Sequence, residues 1–546
     1  MKKILLLSLV FISAACSKSV EISGNPYIPP MNQPAPVQIG SADANRKISG
    51  PLVSGGNVSD SFKATPDGSK IVYVADESID TVNDLYVTNI PAGDGHMNLT
   101  NLALGKKVSQ FLISPDGTKV AFLADIATTG LSDLYIINLD KTGLHHLNIG
   151  LSNSSQKVET NFRFNNAGNK VVYATDEEST GVRNIYSVNL DGTNRLRLNQ
   201  TAGTQLTFAL AKNDSRVVYR TFSANPVLRS VTLSATGDVL LNTPFDTNLN
   251  SAAGVQDFKI SNNENNLKVL YRANQDNGST YELYLTKIDG TGVVTKVSAP
   301  MVSQGIVSPN YDISPNDSKI VYIADQQTDE VQEIFSVNTD GSSNTKINPT
   351  LVSNGDVVSF KISSDSQKVV YLADEVTDGV NELFSVNMTG SSNTKINSNL
   401  IAGEEVANQY LLLGSQIVYS TDKSQSGYYS VFSNLLTGSN EVRLSKSIST
   451  GVGFFDQSNL TSQQFSSLAD NSRIILLGSD VTSNKNLYSV KLDGSSGAQL
   501  NNLITGSGVQ SSASSLGSTF LTVGNYVIYR YNNGVATELY ITLARN

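Results

Sequence analysis

The chain has 546 residues, with 39 basic against 48 acidic side chains, a formal net charge of −9, a single cysteine and no tryptophan. That balance excludes nucleic acid as a partner, since such binding rests on Lys and Arg neutralising phosphates, and it equally excludes anionic lipid headgroups as a docking surface for the folded part. One thiol excludes an internal disulfide framework.

Residues 1–15 resemble a bacterial signal peptide: Lys2 and Lys3, the apolar run Ile4 to Ile12, then Ser13-Ala14-Ala15. Cys16 follows directly. Its placement resembles the acceptor of a bacterial lipoprotein, whose thiol receives diacylglycerol before cleavage. Ser13 stands where such sites usually carry Leu, and ordinary cleavage after Ala15 is the alternative. Ser17 is not the Asp that retains lipoproteins in the inner membrane. The expected address is therefore the cell envelope, lipid-anchored in the outer membrane, facing either side of it. No apolar run of eighteen residues follows. Residues 16–45 read as a lipidated cysteine and a Pro-rich tether, with Pro26, Pro29, Pro30, Pro34 and Pro36 opposing helix or central strand. Such a tether spans about 30 Å as a coil and about 90 Å near polyproline geometry.

From residue 46 to 546 a unit of about fifty residues recurs ten times, the period of a propeller or solenoid array. The unit from Phe360 shows it: an alternating run ending at Ile362, a Ser364-Asp365 turn, the apolar run Val369-Val370-Tyr371-Leu372-Ala373, then Leu383-Phe384-Ser385-Val386 and Thr394-Lys395-Ile396-Asn397. These segments alternate like half-buried strands and are too short for helices. Aromatic anchors mark the first strand from Phe62 to Phe520, the second from Tyr73 to Tyr529 and the third from Tyr86 to Tyr540. Leu476 and Arg229 are the two non-aromatic anchors. Packing between adjacent blades is the expected role of the rings, each worth roughly 1.5–3 kcal/mol on burial; stacking against carbohydrate is the alternative. Ser114-Pro115-Asp116-Gly117 turns the first strand into the second, and Asp340-Gly341 the third into the fourth.

The tenth unit ends after its third strand, Glu538 to Leu543, while an orphan fourth strand, Arg46-Lys47-Ile48-Ser49, precedes the first unit. The expectation is an all-β fold: a single large β-propeller of about ten four-stranded blades, closed by the N-terminal strand joining the last blade. Closure removes exposed strand edges. An open superhelical array and a ring of fewer blades are the alternatives.

Many acids fall in the loops between second and third strands, and these loops share one face of a propeller. The candidate acidic docking face comprises Asp76, Glu77, Asp125, Asp176, Glu177, Asp325, Asp329, Asp374, Glu375 and Asp378. It would serve a basic partner or divalent cations; the alternative is that Asp is simply a good loop residue. The recurrent Asp after Ala75, Ala124, Ala324 and Ala373 has the character of an Asx-type cap at a strand end. His96, His145 and His146 do not converge as zinc ligands, and no nucleophile elbow, Walker loop, Rossmann fingerprint or calcium loop appears. No cofactor and no metal are expected.

Ser-Pro-Asp-Gly, the apolar run to Ala-Asp, and Leu-Tyr-x-x-Asn-Leu-Asp together resemble the TolB-type, WD-like propeller repeat, closest in 65–89, 114–140, 314–340 and 363–387. The resemblance implies a propeller lipoprotein. TolB's separate α/β domain is missing from it, as is the hydrolase domain that follows such repeats in prolyl-peptidase relatives. The expected function is a non-catalytic, monomeric, envelope-anchored propeller that binds or scaffolds protein or glycan through its loop faces. The alternative is a propeller enzyme of lyase or glycosidase type with its site in the central channel, against which the poverty in His and the lack of Trp weigh.

Overall fold

The computed structural model describes residues 45–200, 203, 206–222, 226–243, 254–423, 428–445, 455–456, 465–479, 485–501, 508–509 and 520–544. The signal, Cys16 and nearly all of the tether lie outside them.

Ten antiparallel sheets follow one another along the chain. Each is a four-stranded blade in the order first, second, third, fourth; the eighth and tenth add a short extra strand. Blade seven is typical, with Val357–Ile362, Lys368–Ala373, Glu382–Asn387 and Thr394–Lys395. No helix occurs among the described residues. The register sets the aromatic anchors directly opposite one another: Phe360 faces Tyr371, Tyr371 faces Phe384, and Phe384 faces Lys395. The second and third rings stack at 5.4 Å in blades five, six and seven. Offset stacking of this kind adds about 0.5–1.5 kcal/mol beyond burial. In blade four Arg229 takes the third place and pairs with Asp238 at 2.9 Å instead of stacking.

The turns form as their residues dictate. Ser114 Oγ donates to Asp116 and accepts from the Lys119 amide at 2.9 Å, while Gly117 adopts φ 70°, which only glycine accepts without strain.

The cores lie between blades rather than within them. One cluster joins Ile323 and Ile334 of blade six to Tyr371 and Phe384 of blade seven. Such clusters are found at all ten junctions between neighbours. The decisive one sets Ile528, Leu539 and Ile541 of blade ten against Val58, Phe62 and Tyr73 of blade one. An open array would leave that pair of faces in water, so the ring is closed.

The seam is made as expected. Arg46–Lys47 pairs with Thr537–Leu543 in antiparallel register, Arg46 opposite Ile541 and Lys47 opposite Tyr540. Ile48 N–H then donates to Leu539 O at 2.9 Å, and its side chain is buried in the junction cluster.

Candidate functional site: the loop face

One face of the ring collects the loops between second and third strands and the linkers between blades. A repeated carboxylate ties the two together. Asp125 ends the second strand of blade two; its Oδ1 accepts from Lys107 N–H in the incoming linker at 2.6 Å, and its Oδ2 from Gly130 N–H in the loop at 3.0 Å. Asp176 does the same with Lys157 at 2.7 Å and Gly181 at 2.8 Å. Asp76 holds Asn57 and Thr81, and Asp374 holds Asp356 and Gly379. Asp325 takes Ile306 N–H at 2.5 Å. Linker and loop thus meet on one face because a short acceptor at the strand end has amides on both sides to satisfy. The linker backbone packs closely here: a Cβ on Gly355 would sit 2.6 Å from Asp374 O.

These five aspartates are buried. The residue after them also turns inward. Glu77 is buried, accepts from Tyr73 Oη at 2.7 Å and Gly50 N–H at 2.9 Å, and meets His96 Nε2 at 2.7 Å. Glu177 receives Arg195 and, at 3.0 Å, Ile149 N–H. Glu375, half-buried, receives Tyr371 Oη and, at 2.9 Å, Asn393 Nδ2. Burial pushes the carboxyls of Glu177 and Glu375 above the usual range, in Glu177 despite the Arg195 charge. Asp329 and Asp378 are exposed. Of the ten acids of the docking face, then, these two project from the surface, and the other eight are engaged in holding loops.

A polar clamp, not expected from the sequence, accompanies them. The buried tyrosine of the second strand hands its hydroxyl to a polar residue just ahead of the fourth strand: Tyr219 to Asp238 at 2.8 Å, Tyr371 to Asn393 at 2.9 Å, Tyr419 to Glu441 at 2.5 Å. Tyr529 of blade ten uses Asn45, from the other end of the chain, at 2.7 Å. The clamp is not kept in every blade: Phe122 goes with Leu144, Leu476 with Gly497, and Tyr271, with Val294 in the partner place, gives its hydroxyl to Gln275 at 3.2 Å. His96 and His146 are absorbed in the same region, stacked on Tyr86 at 5.4 Å and on Tyr135 at 4.7 Å; the Asp133 carboxylate, through its hydrogen bond, raises the His146 pKa.

What the loop face leaves exposed is apolar as well as acidic. Among the described residues eleven large hydrophobic side chains are exposed, and seven of them stand here: Ile79, Leu104, Ile149, Val182, Val376, Ile401 and Val535.

No family model matches the chain, and no curated protein does. Solved structures do. The tricorn protease is 14% identical, with a TM-score of 0.34 over 81% of this chain and 43% of that one. Porphyromonas gingivalis dipeptidyl peptidase 4 is 11% identical, with a TM-score of 0.44 over 84% of this chain and 67% of that one. An oligogalacturonate lyase in complex with manganese is 13% identical, with a TM-score of 0.31 over 68% of this chain and 87% of that one. This chain thus spans less than half of the tricorn protease chain. These likenesses show the fold alone. They do correct one expectation: the chain was expected not to be an enzyme, yet the solved propellers it resembles include peptidases and a lyase.

Proposed function

We propose that the chain is a TolB-like propeller lipoprotein of the cell envelope that binds a partner protein on its loop face. The observation that carries this is the clustering of exposed apolar side chains there, Leu104 at 73%, Val376 at 61%, Ile401 at 69% and Val535 at 92%, among exposed Asp80, Asp329, Glu330 and Asp378. Apolar groups rimmed by charge mark interaction surfaces, and the acids favour a partner with basic groups. Asn45 enters the ring on the side of the turns between third and fourth strands, opposite the loop face, so the entry of the chain leaves that face clear. The support for the anchor itself is the Lys2-to-Cys16 pattern.

The test is crosslinking in intact cells, followed by mass spectrometry, with the natural chain and with Leu104→Ser, Val376→Ser and Ile401→Ser combined. One stoichiometric protein captured by the first and lost from the second is expected. Equal capture by both overturns the loop-face reading. Labelled lipid retained by Cys16→Ser overturns the anchor.

A further inference from the structure

The first strands line the middle of the ring. Their side chains bridge successive blades: Gln110 Nε2 donates to Thr160 O at 2.7 Å, Asn310 Nδ2 to Val358 O at 3.2 Å, and Ser359 Oγ meets Asn408 Oδ1 at 2.5 Å. The residue after the first anchor carries an unexpected pattern. In blades one, three, five and seven it is Lys63, Arg163, Lys259 and Lys361; in blades two, four, six and eight it is Leu112, Ala209, Asp312 and Leu411. Cations therefore alternate around this part of the wall in a chain whose net charge is −9.

Only one of the four meets a counter-charge among the described residues: Lys259 pairs with Asp312 at 3.3 Å. Lys63 reaches Phe111 O at 3.3 Å, Lys361 reaches Tyr410 O at 2.5 Å, and Arg163 Nη1 reaches Phe162 O at 2.9 Å. Among the described residues no carboxylate lies within ion-pair distance of these three. The other acids on this wall are engaged: Asp257 with Arg272 at 2.7 Å, and Asp60 within the field of Arg530. All three cations are open to solvent, yet burial holds their pKa values below the ordinary range, and for Lys63 the charge of Arg163, two blades away, lowers it further. The first strand is the innermost of each blade in the closed ring, so these exposed cations stand along the wall of its central channel. Between them stand Ser61, Thr160, Asn310 and Ser359, which carry hydroxyl and amide groups.

We propose that the central channel is a binding site for an anionic oligosaccharide, whose carboxylates meet Lys63, Arg163 and Lys361 and whose hydroxyls meet the polar side chains between them. This site is separate from the loop face, and it stands if the loop-face reading fails. An oxyanion on these cations makes charge-assisted hydrogen bonds, about twice as strong as neutral ones, and relieves repulsion that the free protein carries. Weak binding that falls steeply with salt is the expected character.

Isothermal titration of the purified full chain with a tetra-uronate, a neutral tetrasaccharide and tripolyphosphate tests it. The expected result is one uronate chain per propeller, no heat from the neutral sugar and weaker binding of tripolyphosphate. Arg163→Gln with Lys361→Gln, which keeps a donor at each carbonyl, lowers uronate affinity about tenfold or more. Lys287→Gln, an exposed cation at the end of a third strand, leaves it unchanged, and melting temperatures report the fold of each variant. Absence of uronate binding, or uronate affinity unaffected by the double substitution in a folded variant, overturns the site. Tighter binding of tripolyphosphate than of uronate overturns the sugar assignment.

Discussion

In blade seven the fourth strand follows the third through the Thr389-Gly390 turn, whereas in blade ten it comes from the opposite end of the chain. The contacts are nevertheless the same set. Lys395 pairs with Glu382 and Lys47 with Glu538. Tyr371 meets Asn393 and Tyr529 meets Asn45. Ile396 N–H donates to Leu383 O at 2.7 Å, and Ile48 N–H to Leu539 O at 2.9 Å. Even the side-chain acceptor for the third-strand amide is kept, as Asn397 in one and Ser49 in the other. Blade seven shows what the repeat does when chain connectivity helps it, and blade ten shows that the same ladder and side-chain contacts dock the strand without a connecting turn. The difference lies in the consequence of failure. Losing the fourth strand of blade seven loosens one blade, while losing that of blade ten unlocks the ring.

The strongest way to break the comparison is at the buried isoleucines. Ile48→Ala and Ile396→Ala should each cost about 2–5 kcal/mol, seen as lowered denaturant midpoints. Only Ile48→Ala should also enlarge the particle in solution scattering; equal enlargement by both would remove the special status of the seam. Next come the ion pairs. Glu538→Ala and Glu382→Ala should each cost roughly 1–2 kcal/mol, a modest figure because each lysine keeps contact with water. An effect at Glu382 but none at Glu538 would show that the borrowed strand docks differently. Tyr529→Phe should cost about 1 kcal/mol, and Tyr371→Phe somewhat more, because the Tyr371 hydroxyl meets both Glu375 and Asn393, which then keep only their bond to each other. A last effect is common to the blades and concerns pH. Burial pushes the Tyr322 hydroxyl up to about 12 and raises those of Tyr371 and Tyr529 further. The unfolded chain releases these protons near pH 10 and the folded chain holds them, so this contribution to stability is full below pH 10 and lost as pH rises through the folded values. Midpoints compared at about pH 9 and pH 11 should fall; a rise would contradict the burial of these hydroxyls.

The fold was legible because the repeat states it many times. The spacing of Phe360, Tyr371 and Phe384 placed three strands, the turns at Asp116-Gly117 and Asp340-Gly341 fixed their reversal, and the likeness of Arg46-Lys47-Ile48 to Thr345-Lys346-Ile347 gave the seam. The loop face was harder. Position alone put Asp76, Asp125, Asp176, Asp325 and Asp374 on it, and the carboxylates do lie in those loops. Sequence does not say that a backbone amide from a linker some twenty residues earlier claims one oxygen and an amide of the following loop the other, as Lys107 and Gly130 do for Asp125. The cations of the channel went unread for a related reason. Lys63 and Arg163 look like ordinary outward residues of half-buried strands until the ring closes and sets the first strands around one axis.

Amide hydrogen exchange across residues 45–49, set beside residues 393–397, bears most directly on the closed ring. The account predicts that the two segments exchange at comparable, strongly slowed rates, because each has its isoleucine amide bonded to a third-strand carbonyl. Free exchange at 45–49 with protection retained at 393–397 would mean that the ends of the chain do not meet.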